Sequence, residues 1–171
     1  MSTQSPITIR GAGVGDGAII FNFIHALADY EKLAHEVVAT AESIELALTT
    51  DNARTHAVIA ELNGAPVGMA LYFYNFSTFL GRHGIYIEDL YVDPAHRSGG
   101  VGKKLLQHLA AKALAEGCGR VEWWVLNWNE PAIGFYERIG AKKMDEWTVY
   151  RLEGDALQKL AREPTHEKRH A

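Results

Sequence analysis

The sequence holds a single cysteine, Cys118, and only five prolines, and its longest apolar runs, such as VGMALYFY, fall far short of the roughly 20 residues needed to cross a bilayer. One thiol excludes an internal disulfide, and the amino-terminal MSTQSPITIR lacks the charged-then-apolar order of a secretory leader, so a cytoplasmic protein is expected. The triplet Asn75-Phe76-Ser77 fits a glycosylation acceptor, a pattern without meaning in a protein that is not secreted. A basic excess is missing as well. Seventeen lysines and arginines against 21 aspartates and glutamates leave a formal net charge of −4, which argues against nucleic acid or an anionic membrane as partner. Repeats and interdomain linkers are also lacking. What is present is 47% hydrophobic residues in a chain of 171, enough for one domain over residues 1–171, with a core at about 6–160 and a polar tail, about 163–171, expected to fray.

Periodicity orders the elements. ITIR (7–10) reads as a strand, and Asp16 as the cap of a helix whose Ile20, Phe23, Ile24, Leu27 and Tyr30 keep helical spacing. TAESIELAL (40–48) starts with a capping threonine and forms a second, short helix. Two strands joined at Asn63-Gly64 make a hairpin, and a third, GIYIEDLYV (84–92), runs into a glycine loop and a helix over 99–116. RVEWWVLN (120–127) is the next strand. The helical crossover makes it a parallel neighbour of 84–92 in an otherwise antiparallel sheet. A helix from Asn129, with Pro131 in its first turn and its end near Gly140, a last strand in EWTVYRL (146–152) and a short helix over 155–162 complete the chain.

The loop Arg97-Ser98-Gly99-Gly100-Val101-Gly102-Lys103 is the strongest chemical signal. A Walker A loop would need glycine five places before Gly102-Lys103 and Ser or Thr after it, but Arg97 and Lys104 stand there. GAGVGDGA (11–18) comes near a dinucleotide fingerprint, yet Asp16 or Ala18 falls where its last glycine belongs, so a turn is the reading there. What remains at 97–102 is Arg-x-x-Gly-x-Gly between a strand and a helix. Glycines let backbone approach an anion, and the N–H groups and dipole of the helix start favour negative charge.

This loop resembles the acetyl-CoA pyrophosphate loop of the GNAT superfamily of N-acetyltransferases. YIEDLYVDPAHRSGGVGKKLL, VLNWNEPAIGFYERIGA and LADYE resemble its branch of spermidine/spermine and thialysine acetyltransferases, over about residues 6–160. The resemblance implies an α+β fold, the α/β GNAT fold, with a mixed, mostly antiparallel central sheet flanked by helices. A parallel pair splays at the acetyl-CoA site. It further implies acetyl-CoA as co-substrate, held by strand groups of Leu90, Tyr91 and Val92, by Arg97 through Lys103 (Ser98, Gly99, Gly100, Val101 and Gly102 between them) and by Asn129, which as a helix cap could equally be structural. Tyr136 matches the family's general acid; core packing at the spacing Ile133, Tyr136, Ile139 is compatible with that role. A homodimer is implied by the same analogy.

A primary amine with a pKa near 10.4 is about one part in a thousand neutral near pH 7.4, a deficit of roughly 4 kcal/mol, so a proton route matters. Glu88 and Asp89 stand side by side in an apolar strand, where carboxylates are costly unless something satisfies them. Alternation sends them to opposite faces. Glu88, far too acidic to be an efficient direct base, is expected either to anchor the ammonium or to pass its proton through water as attack proceeds, with an amide near Tyr91 steadying the oxyanion. Tyr30, Glu31, Ser77, Thr78 and Phe79 join Glu88 and Asp89 as substrate-binding candidates. NFSTFLGRHG lacks the extra acidic residue and tryptophan of the polyamine enzymes, which points to a thialysine-type amine with a polar or carboxylate end for Arg82 to meet.

No metal is expected. His166-Glu167-Lys168-Arg169-His170 spells a zinc-protease pattern, but in a polar tail without an apolar helix to enclose it. His83 and His96 border the expected cleft, and Cys118 has no histidine beside it to activate it. Two further readings stand beside the small-amine enzyme: a GNAT enzyme acting on a protein terminus, a protein lysine or an antibiotic amine, and a coenzyme A-binding sensor without turnover.

Overall fold

The computed structural model describes residues 6–163, which leaves the histidine pair of the tail outside it. The chain divides into two compact units, Met1–Trp124 and Val125–Ala171. The first unit is built on a five-stranded sheet in the order β1 (Ile7–Gly11), β2 (His56–Leu62), β3 (Ala65–Ser77), β4 (Arg82–Val92) and β5 (Val121–Trp123). The first four strands are antiparallel, and β4 and β5 are parallel. The hairpin between β2 and β3 turns at Asn63 (φ 54°) and Gly64 (φ 78°), the two left-handed residues such a tight connection requires.

Helices α1 (Gly17–Glu31) and α2 (Ala41–Thr49) cover one face, where Ile20, Ala57, Ile59, Met69, Leu71 and Tyr91 form the core with Phe23, Ile24 and Leu27 against it. Thr40 and Ser43 cap α2 reciprocally. The expected cap of α1 acts differently. Asp16 makes no side-chain bond to the helix; its carboxylate accepts from both terminal nitrogens of Arg10 (2.7 and 2.8 Å) and from the Gly13 amide (2.9 Å), while Arg10 Nε donates to Glu61 (2.7 Å). The Gly17 amide is met by Glu45 of α2 (3.2 Å). A Cβ at Gly17 would lie 2.5 Å from Ala41 O, so Gly17 lets α1 start in close contact with α2.

Helix α3 (Val101–Ala115) lies over the other face through Val101, Leu105, Leu106, Leu109 and Ala113. It begins two residues later than expected because Gly100, at φ 86°, is still part of the loop. β5 is shorter than the expected 120–127, since only Val121–Trp123 find partners on β4. The second unit holds α4 (Glu130–Arg138), with Asn129 Oδ1 accepting from the Ala132 amide, and α5 (Gly154–Arg162). EWTVYRL forms no strand. Its Trp147, Val149, Tyr150 and Leu152 are exposed, and alternation alone does not supply the neighbour a ladder needs.

Candidate active site

Two departures from regularity in β4 build the site. The first is the end of its parallel partner: pairing with β5 covers Ile85–Ile87, and Glu88–Val92 continue alone on that side. Asp93 N donates to Val67 O (2.9 Å), so by antiparallel alternation Tyr91 and Asp89 bond toward β3, whereas Leu90 and Val92 direct their backbone groups to the open edge. The strand amides available to a ligand therefore belong to Leu90 and Val92, the neighbours of Tyr91. Tyr91 itself is buried in the core against Phe23.

The second departure is a bulge. Leu71 pairs with Asp89 and Tyr72 with Ile87, which leaves Glu88 as the extra residue. The expected opposite placement of Glu88 and Asp89 presumed unbroken alternation, and the bulge removes that premise. Its parity change is visible in the apolar spacing: Ile85 and Ile87 face α3, and so do Leu90 and Val92. Asp89 is thereby turned to the face of α1. There Glu31, at the end of α1, is raised in pKa by burial. Asp89 is pushed up to about 6 by burial first, then by the charges of Glu88 and Glu31. No salt bridge to any of the three carboxylates occurs among the described residues.

Beyond Val92 a 3-10 turn (Pro94–His96) leads into the loop. Ser98 (φ 65°) and Gly100 (φ 86°) are left-handed, Arg97–Gly100 are exposed, and buried Val101 seats the helix start on the sheet. A Cβ at Gly99 would stand 3.3 Å from His96 O. Such alternating backbone turns its amides into an anion-binding concavity ahead of the helix dipole, with Lys103 exposed in the first turn. Arg97 Nε donates to Val92 O (3.0 Å), and its guanidinium lies 4.9 Å from the Tyr30 ring centroid and 5.9 Å from that of Tyr91. Arg97 thus ties the loop to the end of α1, where Tyr30 precedes Glu31.

Ser77, Thr78 and Phe79 lie at the tip of the β3–β4 hairpin. Ser77 is buried, its Oγ accepting from the Leu80 amide, and Phe79 is 93% exposed. Six residues along β3 separate Ser77 from Leu71, the partner of Asp89, so the tip stands about 20 Å from the carboxylates. Arg82, paired with Ser77, shares that distance. Asn129 and Tyr136 belong to the second unit, Asn129 as the cap of α4 and Tyr136 in its last turn beside Phe135 (5.5 Å between centroids). No group of three or more histidine, cysteine, aspartate or glutamate side chains fit to hold a metal occurs among the described residues. Nor does any helix among them reach the length and apolarity of a membrane span.

The model of the acetyltransferase (GNAT) family matches residues 23–141, the stretch from α1 through α4 that contains the acids, the open edge and the loop. The chain belongs to the GNAT acetyltransferase family. Among curated proteins it is 37% identical to thialysine N-epsilon-acetyltransferase of Sus scrofa over 92% of this chain and 99% of that one. It is 34% identical to L-ornithine N5-acetyltransferase of Arabidopsis thaliana over 89% and 86%. An integron cassette protein from the mobile metagenome of V. cholerae shares the fold with a TM-score of 0.76 at 26% identity, over 92% and 98% of the two chains. The GNAT fold, with its mixed sheet and one parallel pair, and the N-acetyltransferase activity on amines follow. Acetyl-CoA is the co-substrate of GNAT enzymes, and the loop and open edge described above suit a diphosphate and an amide-bearing arm.

Residue types alone did not disclose the bulge. The spacing Ile85, Ile87, Leu90, Val92 carried its signal.

Proposed function

We propose that the protein transfers the acetyl group of acetyl-CoA to the primary amine of a small molecule, a lysine-like amino acid or a di- or polyamine, by direct attack within a ternary complex. The observation that carries this reading is the carboxylate trio Glu31, Glu88 and Asp89, of which Glu31 and Asp89 are partly withdrawn from water, with none paired to a cation among the described residues. An alkylammonium supplies the missing charge. The identities of the thialysine and ornithine acetyltransferases that the chain resembles support the same substrate class.

In this mechanism the loop Arg97–Lys103 holds the pyrophosphate, the open-edge amides of Leu90 and Val92 hold the pantetheine arm, and Asn129 adds a contact from the cap of α4. Asp89 and Glu31 draw the ammonium in, and Glu88 accepts its proton through water. The nitrogen lone pair forms the new N–C bond to the acetyl carbonyl, whose oxygen is steadied by an amide of the open edge. The C–S bond then breaks, its electron pair leaving on sulfur; the nitrogen gives its second proton to water as the amide forms, and Tyr136 protonates the thiolate and regains a proton from solvent. The whole chain acts as one catalytic domain, in the cytoplasm and as a homodimer.

Thiol release from acetyl-CoA, measured against a panel of amines in the wild type and in Tyr136→Phe, tests the scheme. A fall in kcat of at least about a hundredfold is expected for loss of general-acid help. An unchanged rate removes Tyr136 as the acid, and no turnover on any amine overturns the small-amine reading as a whole.

A further inference from the structure

The bulge has a second effect on the sheet face it shapes. Because Glu88 is the extra residue, Asp89 shares a face with Tyr86 and Gly84, although it stands three positions from Tyr86, an odd step. On β3 the same face carries Leu71, Phe73 and Asn75, and on β5 it carries Glu122, with Trp124 just past the end of that strand. A row results. Asp89 stands level with Leu71, the Phe73 and Tyr86 rings (5.0 Å apart) stand level with Glu122, and Asn75 stands level with Gly84. Trp124 meets the Tyr86 ring edge-on at 5.7 Å. Successive levels are two residues apart, so Glu122 lies about 7 Å and the Asn75 level about 14 Å along the strands from Asp89.

The far end of this row is polar and carries both signs of charge. Asn75 Nδ2 donates to Glu122 Oε2 (2.8 Å), and Arg120 Nε lies 2.8 Å from the same oxygen. Both charged side chains remain about a third exposed, 37% for Arg120 and 35% for Glu122, so the outer parts of each reach solvent. Gly84 makes their placement possible. A Cβ there would stand 2.6 Å from Asn75 Oδ1 and 2.9 Å from Arg120 Cγ. A pair this exposed contributes little by itself, and exchanging it for a ligand of matching charges costs correspondingly little.

We propose that Arg120, Glu122 and Asn75 bind the α-carboxylate and α-ammonium of an amino acid whose side-chain amine is the acceptor at Glu88 and Asp89. Arg120 takes the carboxylate, Glu122 takes the α-ammonium, and Asn75 holds Glu122 in place. The alkyl chain lies across Tyr86 and Phe73 with Trp124 at its side. A lysine-length side chain, five bonds of about 1.5 Å from amine to α-carbon, extends roughly 6 Å, which matches the step from Asp89 to the Glu122 level. Arg82, at the hairpin tip, is too distant to meet the carboxylate of so short a molecule. This inference rests on the acetyl-transfer reading above and narrows its substrate class to amino acids with a terminal amine.

The test compares L-lysine and L-ornithine with cadaverine and putrescine, the diamines that remain when their carboxyl groups are removed. The wild type is expected to show kcat/KM at least tenfold higher for each amino acid than for its diamine. In Arg120→Gln that ratio falls at least tenfold, through a higher KM for the amino acid, as expected for losing a charge-assisted contact that the diamine never makes. Arg120→Lys recovers part of it, and Glu122→Gln lowers the ratio through its own contact, so two independent positions report on the site. A wild type that prefers the diamines, or a ratio unmoved in both Arg120→Gln and Glu122→Gln, overturns the inference while the acetyl-transfer reading stands. Absence of turnover on all four amines would overturn that reading and this inference with it.

Discussion

Asp16 and Asp89 are both aspartates largely withdrawn from water, and their surroundings drive them in opposite directions. Asp16 is held below the ordinary carboxylate range, chiefly by its bonds to Arg10. Asp89 is pushed up to about 6 by burial and by two more carboxylates. The first has its counter-charge from within the chain and is part of the fold; the second has only like charge beside it. Burial of a charged group is therefore not in itself a mark of function. The sign of its neighbours separates the two cases.

Neutralising each aspartate should break the comparison in a different observable. Asp89→Asn is expected to lower kcat/KM for the amine at least about a hundredfold, mostly through KM, while leaving the KM for acetyl-CoA within threefold; steady-state kinetics with both substrates varied measure this. Asp16→Asn acts on stability. It leaves Arg10 with Glu61 alone, and chemical denaturation should show a loss of about 2 kcal/mol, moderated by the partial exposure of Arg10.

The last effect concerns pH. A carboxylate whose folded pKa is raised destabilises the ionised form, so folding stability falls as pH rises from near 4 through about 6. Asp89→Asn removes that dependence and should be more stable than the wild type at pH 7.5, by up to roughly 3 kcal/mol, with the two converging near pH 4. Thermal melts across that range decide it. A wild type no less stable than the variant at pH 7.5 would contradict the strain assigned to Asp89.

Much of the site was legible because its parts are local. Arg97 to Gly102 lie in one loop between a strand and a helix, the turn at Asn63-Gly64 needs only its own two residues, and the acids betray themselves by standing inside an apolar strand. What was illegible depends on pairing. No property of RVEWWVLN says that only Val121–Trp123 would meet β4, and EWTVYRL has the alternation of a strand without a partner to complete it. The role of Asp16 escaped for the same reason, since its partner Arg10 is set by the clamp between β1 and α1 and not by helix-capping chemistry. Asn75 is far in sequence from Arg120 and Glu122 and meets them only because β3 and β5 flank β4.

The early end of β5 has a consequence for observing the molecule at work. Leu90 and Val92 present their amides to an open edge, while those of Asp89 and Tyr91 are locked into the ladder with β3. Neighbouring amides on one strand should then exchange with deuterated water at alternating rates, fast at 90 and 92 and slow at 89 and 91. A ligand along the edge would erase that alternation, so the strand carries its own isotopic gauge of whether its groove is filled.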